Sequence, residues 1–423
     1  MKCIVIIGDG MSDHPVARLG GRTLLQYADK PFMDMMARMG RSGLLKSVPA
    51  GFMPGSEVAN TAILGYDLNK VYEGRGPLEA AGMGYEMTAD EMTLRCNTIT
   101  VSDGKIVNHK GCGINDDDAG ALIEYLNKEL GTDNVRFIKG RQYCHLLVIK
   151  GGNKHILCAS PHEHIGEEWE SLLVKPETGW ADRHDIYTDA DGNEHRRMTG
   201  QETADLLNSL IKKSHSLLSA HSFGKLDNIG ANCIWPWSGG YRPKMQTLSQ
   251  LHPNIRSGSV ISAVDLVKGI GRYAGLDVVG VAGATGLADT NYEGKAQAAI
   301  EALRRQDFVF VHVEATDEAG HDGDLETKLQ AISNLDRRLI APIYNNVMQW
   351  DEPVVIAVLP DHPTPVEMRR HTNEPVPFVV YHKGMVPDGV NTYDEHSAAK
   401  GAYGTIHSQE LMKLLLGFSL NNS

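Results

Sequence analysis

Cysteine is scarce and scattered in this 423-residue chain: six residues, at 3, 96, 112, 144, 158 and 233, with no Cys-x-x-Cys pair among them. That spacing argues against a thiolate zinc site or a redox dithiol, and free thiols in a reducing compartment are the expectation. Long apolar runs are missing too. The opening MKCIVIIGDGM has only Cys3–Ile7 as an apolar core, too short for a signal peptide. No later stretch approaches the roughly 18 apolar residues of a membrane span. A cytoplasmic protein with no membrane partner is expected. Basic charge is not in excess: 41 Lys and Arg against 53 Asp and Glu give a net charge of −12. Non-specific nucleic-acid binding needs a basic surface and is disfavoured, whereas a small anion in a local basic pocket is not. Aromatics are sparse at 6%, but 44 glycines suit many tight strand–helix turns. Hydrophobic residues at 42% and charged residues at 22% exclude wholesale disorder. The length predicts two domains, or one large core with an insert.

Short runs rich in Val and Ile recur, each closed by Gly, Asp or Pro: Cys3–Ile7, Val278–Val281, Phe308–Val313 and Val354–Leu359. Without polar alternation, they read as strands buried on both faces of a parallel sheet. Helical patterns lie between them, over Thr23–Met39, Lys295–Arg305, Leu325–Tyr344 and Ser408–Gly417. Strands alternating with helices predict an α/β core, a doubly wound, mostly parallel sheet with helices on both faces. The middle of the chain is more polar. Asn97–Val101 and Lys105–Val107 flank SDG, a hairpin signal. His145–Ile149 and His155–Ala159 flank KGGN, read as a second hairpin, and Gly179–Arg197 reads as loop. The expected organisation is a core of residues 1–93 and 229–423 with a smaller α+β domain, 94–228, inserted.

Four places offer metal or phosphate ligands, and three of them directly follow predicted strands. Asp9 stands in IIGDGM. Asp317 and His321 stand in VEATDEAGHDGD. Asp361 and His362 stand in VLPDHPTP, with His371 shortly after in RRHTNEPVP. Ser56, in PGSEVANTAILG, opens a probable helix. Taken singly, each has a plain structural reading: an Asp after a strand caps a helix or forms a turn, and a Gly-Ser pair is an N-cap. The conjunction has none. In open α/β sheets ligands bind beyond the carboxyl ends of the strands, where carboxylates and imidazoles can hold divalent cations. A helix N-terminus suits a phosphoryl group. A serine there, coordinated to a cation, would gain alkoxide character, and two cations would clamp an in-line displacement. That chemistry is phosphoryl transfer through a phosphoserine.

The segments GDGM, PGSEVANTAILGYD, GRGPLEAAGMG, VISAVDLVKGIG, GATGLADTNYEGKA, VHVEATDEAGHDGD and LPDHPTP with RRHTNEPVPF together resemble the cofactor-independent phosphoglycerate mutases. The similarity is to their short, archaeal-type branch within the alkaline phosphatase superfamily, and it runs to about Tyr381. It implies an alkaline phosphatase-like fold and interconversion of 3-phosphoglycerate and 2-phosphoglycerate without bisphosphoglycerate. It implies two divalent metal ions, manganese first, with magnesium, zinc or cobalt compatible. By motif, Ser56 resembles the nucleophile and, with Asp9, Asp361 and His362, a ligand of one metal. Asp317, His321 and His371 resemble the ligands of the other. Lys268 falls where larger mutases have a phosphate-facing lysine. Asn60 and Arg75 lie close in sequence to Ser56 and are expected phosphate contacts, and His162 is an expected substrate contact. His164 and His145 join His162 as acid–base candidates. The only expected partner is a small phosphorylated substrate, bound by a monomer.

The insert departs from the family. NHKGCGI at 108–114 lacks the arginines of the corresponding family segment, and Cys144 stands where an arginine is frequent. Arginines are the natural holders of a carboxylate and a phosphate together. Two other acceptors therefore fit the same metal site: homoserine, as in a proposed kinase sub-branch, or water, giving a phosphomonoesterase. The Gly-Lys pairs at 104–105, 224–225 and 294–295 lack a following Ser or Thr, so there is no Walker A loop.

Overall fold

The computed structural model describes residues 2–220 and 230–417. It divides into two compact units, Met1–Tyr72 with Lys244–Ser423, and Glu73–Pro243. These boundaries lie further out than 94 and 228, because the helix Arg75–Gly82 packs on the strand Glu91–Ser102. A Cβ on Gly76 would meet Thr93 O at 2.3 Å. The expected boundary at 228–229 and the Gly-Lys pair at 224–225 fall outside the described residues.

The first unit is built on an eight-stranded sheet. Its order is Asp277–Val278, Gly258–Ile261, Phe308–Val313, Lys2–Gly8, Val354–Leu359, Val376–Tyr381, Arg41–Lys46 and Thr405–His407. Every pairing is parallel except the two made by Val376–Tyr381. The apolar runs at 2–8, 308–313, 354–359 and 376–381 are buried along their whole length, as strands covered by helices on both faces must be. The predicted strand over Val278–Val281 is shorter, Asp277–Val278. It is the sheet's edge, and only two residues pair with Ser259 and Val260. The predicted helix Thr23–Met39 is two, Leu24–Tyr27 and Pro31–Met39. Pro31 has no N–H to continue the first and sits instead at the start of the second. Leu325–Tyr344 is helical throughout but passes through a π-helical stretch, Leu335–Ile340, directly before Pro342. Its hydrogen bonds shift by one residue, as in Ala341 N–H to Asp336 O. Among the described residues no helix is long and apolar enough to cross a membrane.

The second unit has its own core around an antiparallel sheet of Cys233–Gly240, Glu91–Ser102, Cys144–Lys150 and Val135–Arg141, with Lys105–Asn108 beside Glu91–Ser102. Two helices, Asp116–Leu130 and Gly200–Ala220, pack on it. The SDG hairpin turns at Asp103 and Gly104, both at positive φ (49° and 73°), as a type I′ turn requires. The KGGN hairpin is not there. Cys144–Lys150 pairs with Val135–Arg141, and Ile156–Leu157 pairs with Lys175–Pro176. Asn153 draws the chain away: its N–H bonds Thr203 Oγ1 and its side chain donates to Arg183 O and Met198 O. Gly179–Arg197, expected as loop, contains a hairpin of His184–Thr188 and Glu194–Thr199. Its strands are largely solvated, so they carry no apolar signal.

Candidate active site

Strand register positions three of the acidic groups. Ile7 pairs with His312 on one side and Leu359 on the other. Asp9, Glu314 and Asp361 each come two residues later and emerge together at the carboxyl edge of three adjacent parallel strands. The next residues turn inward because Gly10 allows it. At φ 61°, its missing Cβ would lie 2.5 Å from Asp317 Oδ1 and 2.6 Å from Thr364 Oγ1.

Ser56 is the first residue of the helix Ser56–Ile63, with Gly55 at the N-cap. Its Oγ lies 3.2 Å from Asp9 Oδ2 and 3.3 Å from His362 Nε2. Asp361 accepts Gly10 N–H (3.1 Å), His362 N–H (2.9 Å) and Asn60 Nδ2 (2.9 Å). Asn60 also donates to Ser56 O at 2.9 Å. Both amide protons of Asn60 are thus used within the protein, so it orients Asp361 instead of reaching a phosphate as expected. Asp317 and His321 are one turn apart on the helix Ala315–Asp322, 3.3 Å between Oδ2 and Nε2. His371 Nε2 approaches Asp317 Oδ1 at 3.3 Å. The seven predicted ligands, Asp9, Ser56, Asp317, His321, Asp361, His362 and His371, therefore come together within the first unit.

The electrostatics suit cations. Burial, then the charges of Asp361, Asp317 and Glu314, push the Asp9 carboxyl well above the usual range. Its Oδ1 is buried without a hydrogen-bond partner, with His362 Nε2 3.5 Å away, a costly state unless something positive binds there. His321 Nε2 and His371 Nε2 stand 2.8 Å apart. The Nδ1 of each faces a carbonyl, Arg369 O at 3.1 Å and Pro54 O at 3.2 Å, so Nδ1 carries a proton, and the two Nε2 atoms, both turned toward Asp317, are the nitrogens that deprotonation frees at one spot. Burial works to lower His321, but its bond to Asp317 and that carboxylate's charge raise it to about 9. The same opposition leaves His371 raised. Burial also works to raise Asp317, yet bonds from both imidazoles hold it well below the carboxylate range. His362 is lowered, chiefly by burial, and stays neutral as a ligand must. Among the described residues, donor atoms of Asp9, Asp361 and His362, of Asp317, His362 and His371, and of Asp9, His312 and Glu314 cluster within 4.8 Å.

Residues outside the sequence prediction complete the site. Thr364 Oγ1 donates to Asp317 Oδ1, and Thr316 Oγ1 to Asp9 O. His312 Nε2 meets Asp9 Oδ2 at 2.8 Å. An imidazole inside the apolar run FVFVHV was the available signal. The loops after Asp9 and Asp361 are tied by Lys328. Its fully buried ammonium donates to Asp13 Oδ2 (2.8 Å), Ser12 O (3.3 Å) and Thr364 O (2.8 Å). Lys328→Ala leaves the Asp13 carboxylate buried without its cation. We expect a loss of about 3–5 kcal/mol of stability, read as a fall in chemical-denaturation midpoint; an unchanged midpoint would contradict the role.

Lys268 pairs with Asp265 at 3.0 Å on the helix Asp265–Tyr273. In the second unit, Arg75 stands 3.4 Å from Glu79 and, like Arg95, over the Trp237 ring. Arg95, unmarked in the sequence reading, donates to Glu79 (2.6 Å), Asn97 (3.1 Å) and Cys144 Sγ (2.8 Å). The cysteine position thus has a guanidinium from the adjacent strand. His162 packs edge-on to the same indole, 5.4 Å between centroids. His145 is interior, accepting Gly140 N–H, and burial lowers it to about 4. His164 pairs with Glu167.

The Metalloenzyme superfamily matches residues 1–417. A 2,3-bisphosphoglycerate-independent phosphoglycerate mutase of Methanosarcina acetivorans is 45% identical over 98% of this chain and 100% of its own length. One of Methanothermobacter thermautotrophicus is 41% identical over 98% and 97%. Among solved structures, a Pyrococcus horikoshii protein is 27% identical with a TM-score of 0.78, covering 100% of this chain and 98% of its own. The cofactor-independent phosphoglycerate mutase of Thermoplasma acidophilum is 25% identical with a TM-score of 0.63, covering 99% and 100%.

Proposed function

From the premise that this chain belongs to the Metalloenzyme superfamily, and within it to the 2,3-bisphosphoglycerate-independent phosphoglycerate mutases, we propose how its residues interconvert 3-phosphoglycerate and 2-phosphoglycerate. The supporting observation is Ser56. Its hydroxyl stands at a helix N-terminus, within 3.2 Å of Asp9 and 3.3 Å of His362, in a nest of Asp and His donors. Ser56 Oγ gives up its proton and attacks the phosphorus, the bond from phosphorus to the 3-oxygen of glycerate breaks, and that oxygen takes up a proton and leaves as a hydroxyl. Glycerate reorients. Its 2-hydroxyl oxygen gives up its proton and attacks the phosphoserine, the bond from phosphorus to Ser56 Oγ breaks, and Ser56 takes up a proton and returns to its hydroxyl. The helix N-terminus favours the phosphoryl charge throughout.

Asp9, Ser56, Asp361 and His362 would hold one divalent cation, and Asp317, His321 and His371 a second. The Asp9 Oδ1 that no hydrogen bond satisfies and the adjacent Nε2 atoms of His321 and His371 fit that assignment. Bound cations, manganese first, with magnesium, zinc or cobalt compatible, supply charge that favours the serine alkoxide and offsets the phosphoryl oxygens. Asn60 holds Asp361 in place. Within the first unit we assign Lys268 to an anionic group of the substrate; within the second, Arg75, Arg95 and His162, gathered at the Trp237 ring, are that unit's own candidate anion contacts. Bidentate guanidinium contacts are the chemistry a carboxylate calls for. The enzyme acts as a cytoplasmic monomer in this reading.

A phosphorus NMR time course with manganese-loaded protein and 3-phosphoglycerate, without bisphosphoglycerate, tests it. Appearance of 2-phosphoglycerate is the expected result. Inorganic phosphate alone would replace the mutase reading with a phosphatase.

A further inference from the structure

His312 is the fifth residue of the strand Phe308–Val313, and its ring is wholly buried. A strand of Phe and Val gains nothing from a polar ring there unless both nitrogens are partnered. They are. Nε2 is 2.8 Å from Asp9 Oδ2. Nδ1 is 3.2 Å from Ser262 Oγ, which itself accepts Val264 N–H at 3.0 Å. As a cation ligand Asp9 is ionised and only accepts, so Nε2 then carries the proton. Nδ1 is then the lone-pair nitrogen, and the Ser262 hydroxyl donates to it. The result is a directed chain, Ser262 O–H to His312, His312 N–H to Asp9. Below it, Lys295 Nζ donates to the His312 carbonyl at 3.1 Å and anchors the residue's backbone.

We propose that His312 is a positioning residue for Asp9. By placing an N–H on Oδ2 it fixes the carboxylate plane and leaves Oδ1, the buried oxygen without a hydrogen bond and 3.5 Å from the co-ligand His362, as the one presented to a cation. Ser262 sets the tautomer that makes this possible. The inference rests on Asp9 being a metal ligand, as in the function proposed above. A different role for the ring is conceivable from composition, since Asp9, His312 and Glu314 donor atoms cluster within 4.8 Å. With Ser262 holding Nδ1 and a hydrogen-bonding distance at Nε2, however, neither nitrogen is left to coordinate.

The test measures manganese affinity and stoichiometry of the full chain by electron paramagnetic resonance, beside thermal melting. His312→Leu is expected to weaken manganese binding about 10- to 100-fold, the usual effect of removing a hydrogen-bond partner of a metal ligand. His312→Gln, whose amide N–H can reach Oδ2, is expected to recover most of that loss, and Ser262→Ala to show an intermediate one. Asp9→Asn separates the two claims. If it binds manganese like the unaltered chain, the ligand assignment fails. If Asp9→Asn loses binding while His312→Leu keeps it, the positioning role fails alone. Gln falling as far as Leu, with one ion fewer per chain, would make the imidazole itself a ligand and overturn the proposal. Should the leucine chain not fold, undiminished affinity in Ser262→Ala overturns it equally.

Discussion

Ser56→Ala is expected to abolish phosphoryl transfer, lowering kcat by at least about 10⁴-fold, the scale on which losing a covalent nucleophile is felt. The fold should be untouched. The Ser56 hydroxyl contacts only Asp9 and His362, at 3.2 and 3.3 Å, and Gly55, not Ser56, is the N-cap of its helix. Alanine also suits the first turn of a helix. The alanine chain should melt like the unaltered one and still bind substrate and most of its metal. The same phosphorus NMR assay, run to long times, reads the outcome. Turnover within tenfold of the unaltered chain would remove Ser56 as the nucleophile.

Acid and metal act on one set of lone pairs, and the second large effect follows from that. In the metal-free chain His321 is raised to about 9 and His371 is raised with it, both by Asp317. A raised imidazole stabilises the folded chain fully below its unfolded value of roughly 6.5 and loses that contribution as pH climbs through the folded value. Asp317, lowered, contributes above the ordinary carboxylate value and loses its contribution as pH falls through its folded one. The metal-free protein should therefore lose stability from about pH 6.5 to 9. Over the same interval manganese must displace at least one proton, so apparent affinity should rise about tenfold per pH unit for each proton released. Activity should fall on acidification at limiting metal and vanish on chelation. Calorimetric titrations in buffers of different ionisation enthalpy count the protons. Affinity that stays level across this range, with no proton release, would mean these imidazoles do not bind the cation.

The parts of the site that could be read from sequence are those where one residue's chemistry coincides with an end of an apolar run. Asp9 and Asp361 follow strands that run to Gly8 and Leu359, and the run itself announces the strand. Asp103–Gly104 was equally legible, because only a turn with both residues at positive φ suits that pair. What could not be read depended on distant partners. Val376–Tyr381 carries Pro377, which argues against an interior strand. The Pro377 carbonyl, however, accepts the Tyr393 hydroxyl at 2.9 Å, and pairing with Val354–Leu359 begins only at Val379. The missing N–H faces no ladder there. Asn60 looked like a phosphate contact from its nearness to Ser56, but Asp361, 301 residues away, claims its amide. Arg95 and Cys144 become diagonal neighbours on one face only once strands Glu91–Ser102 and Cys144–Lys150 pair, Arg95 opposite Leu146 and Asn97 opposite Cys144.

The place of the first strand in the sheet governs the order in which a nascent chain can become an enzyme. Lys2–Gly8 lies between Phe308–Val313 and Val354–Leu359, so once synthesised it waits for neighbours roughly 300 residues behind it. At about 5–20 residues per second that delay is on the order of 15–60 s. The unit Glu73–Pro243, whose sheet strands all lie within it, is synthesised well before then. Through that interval an apolar strand has no sheet to join, and such contacts between distant segments are also the slow ones to form. Catalytic competence thus waits on distant synthesis: of the seven, Asp9 emerges first and His371 last.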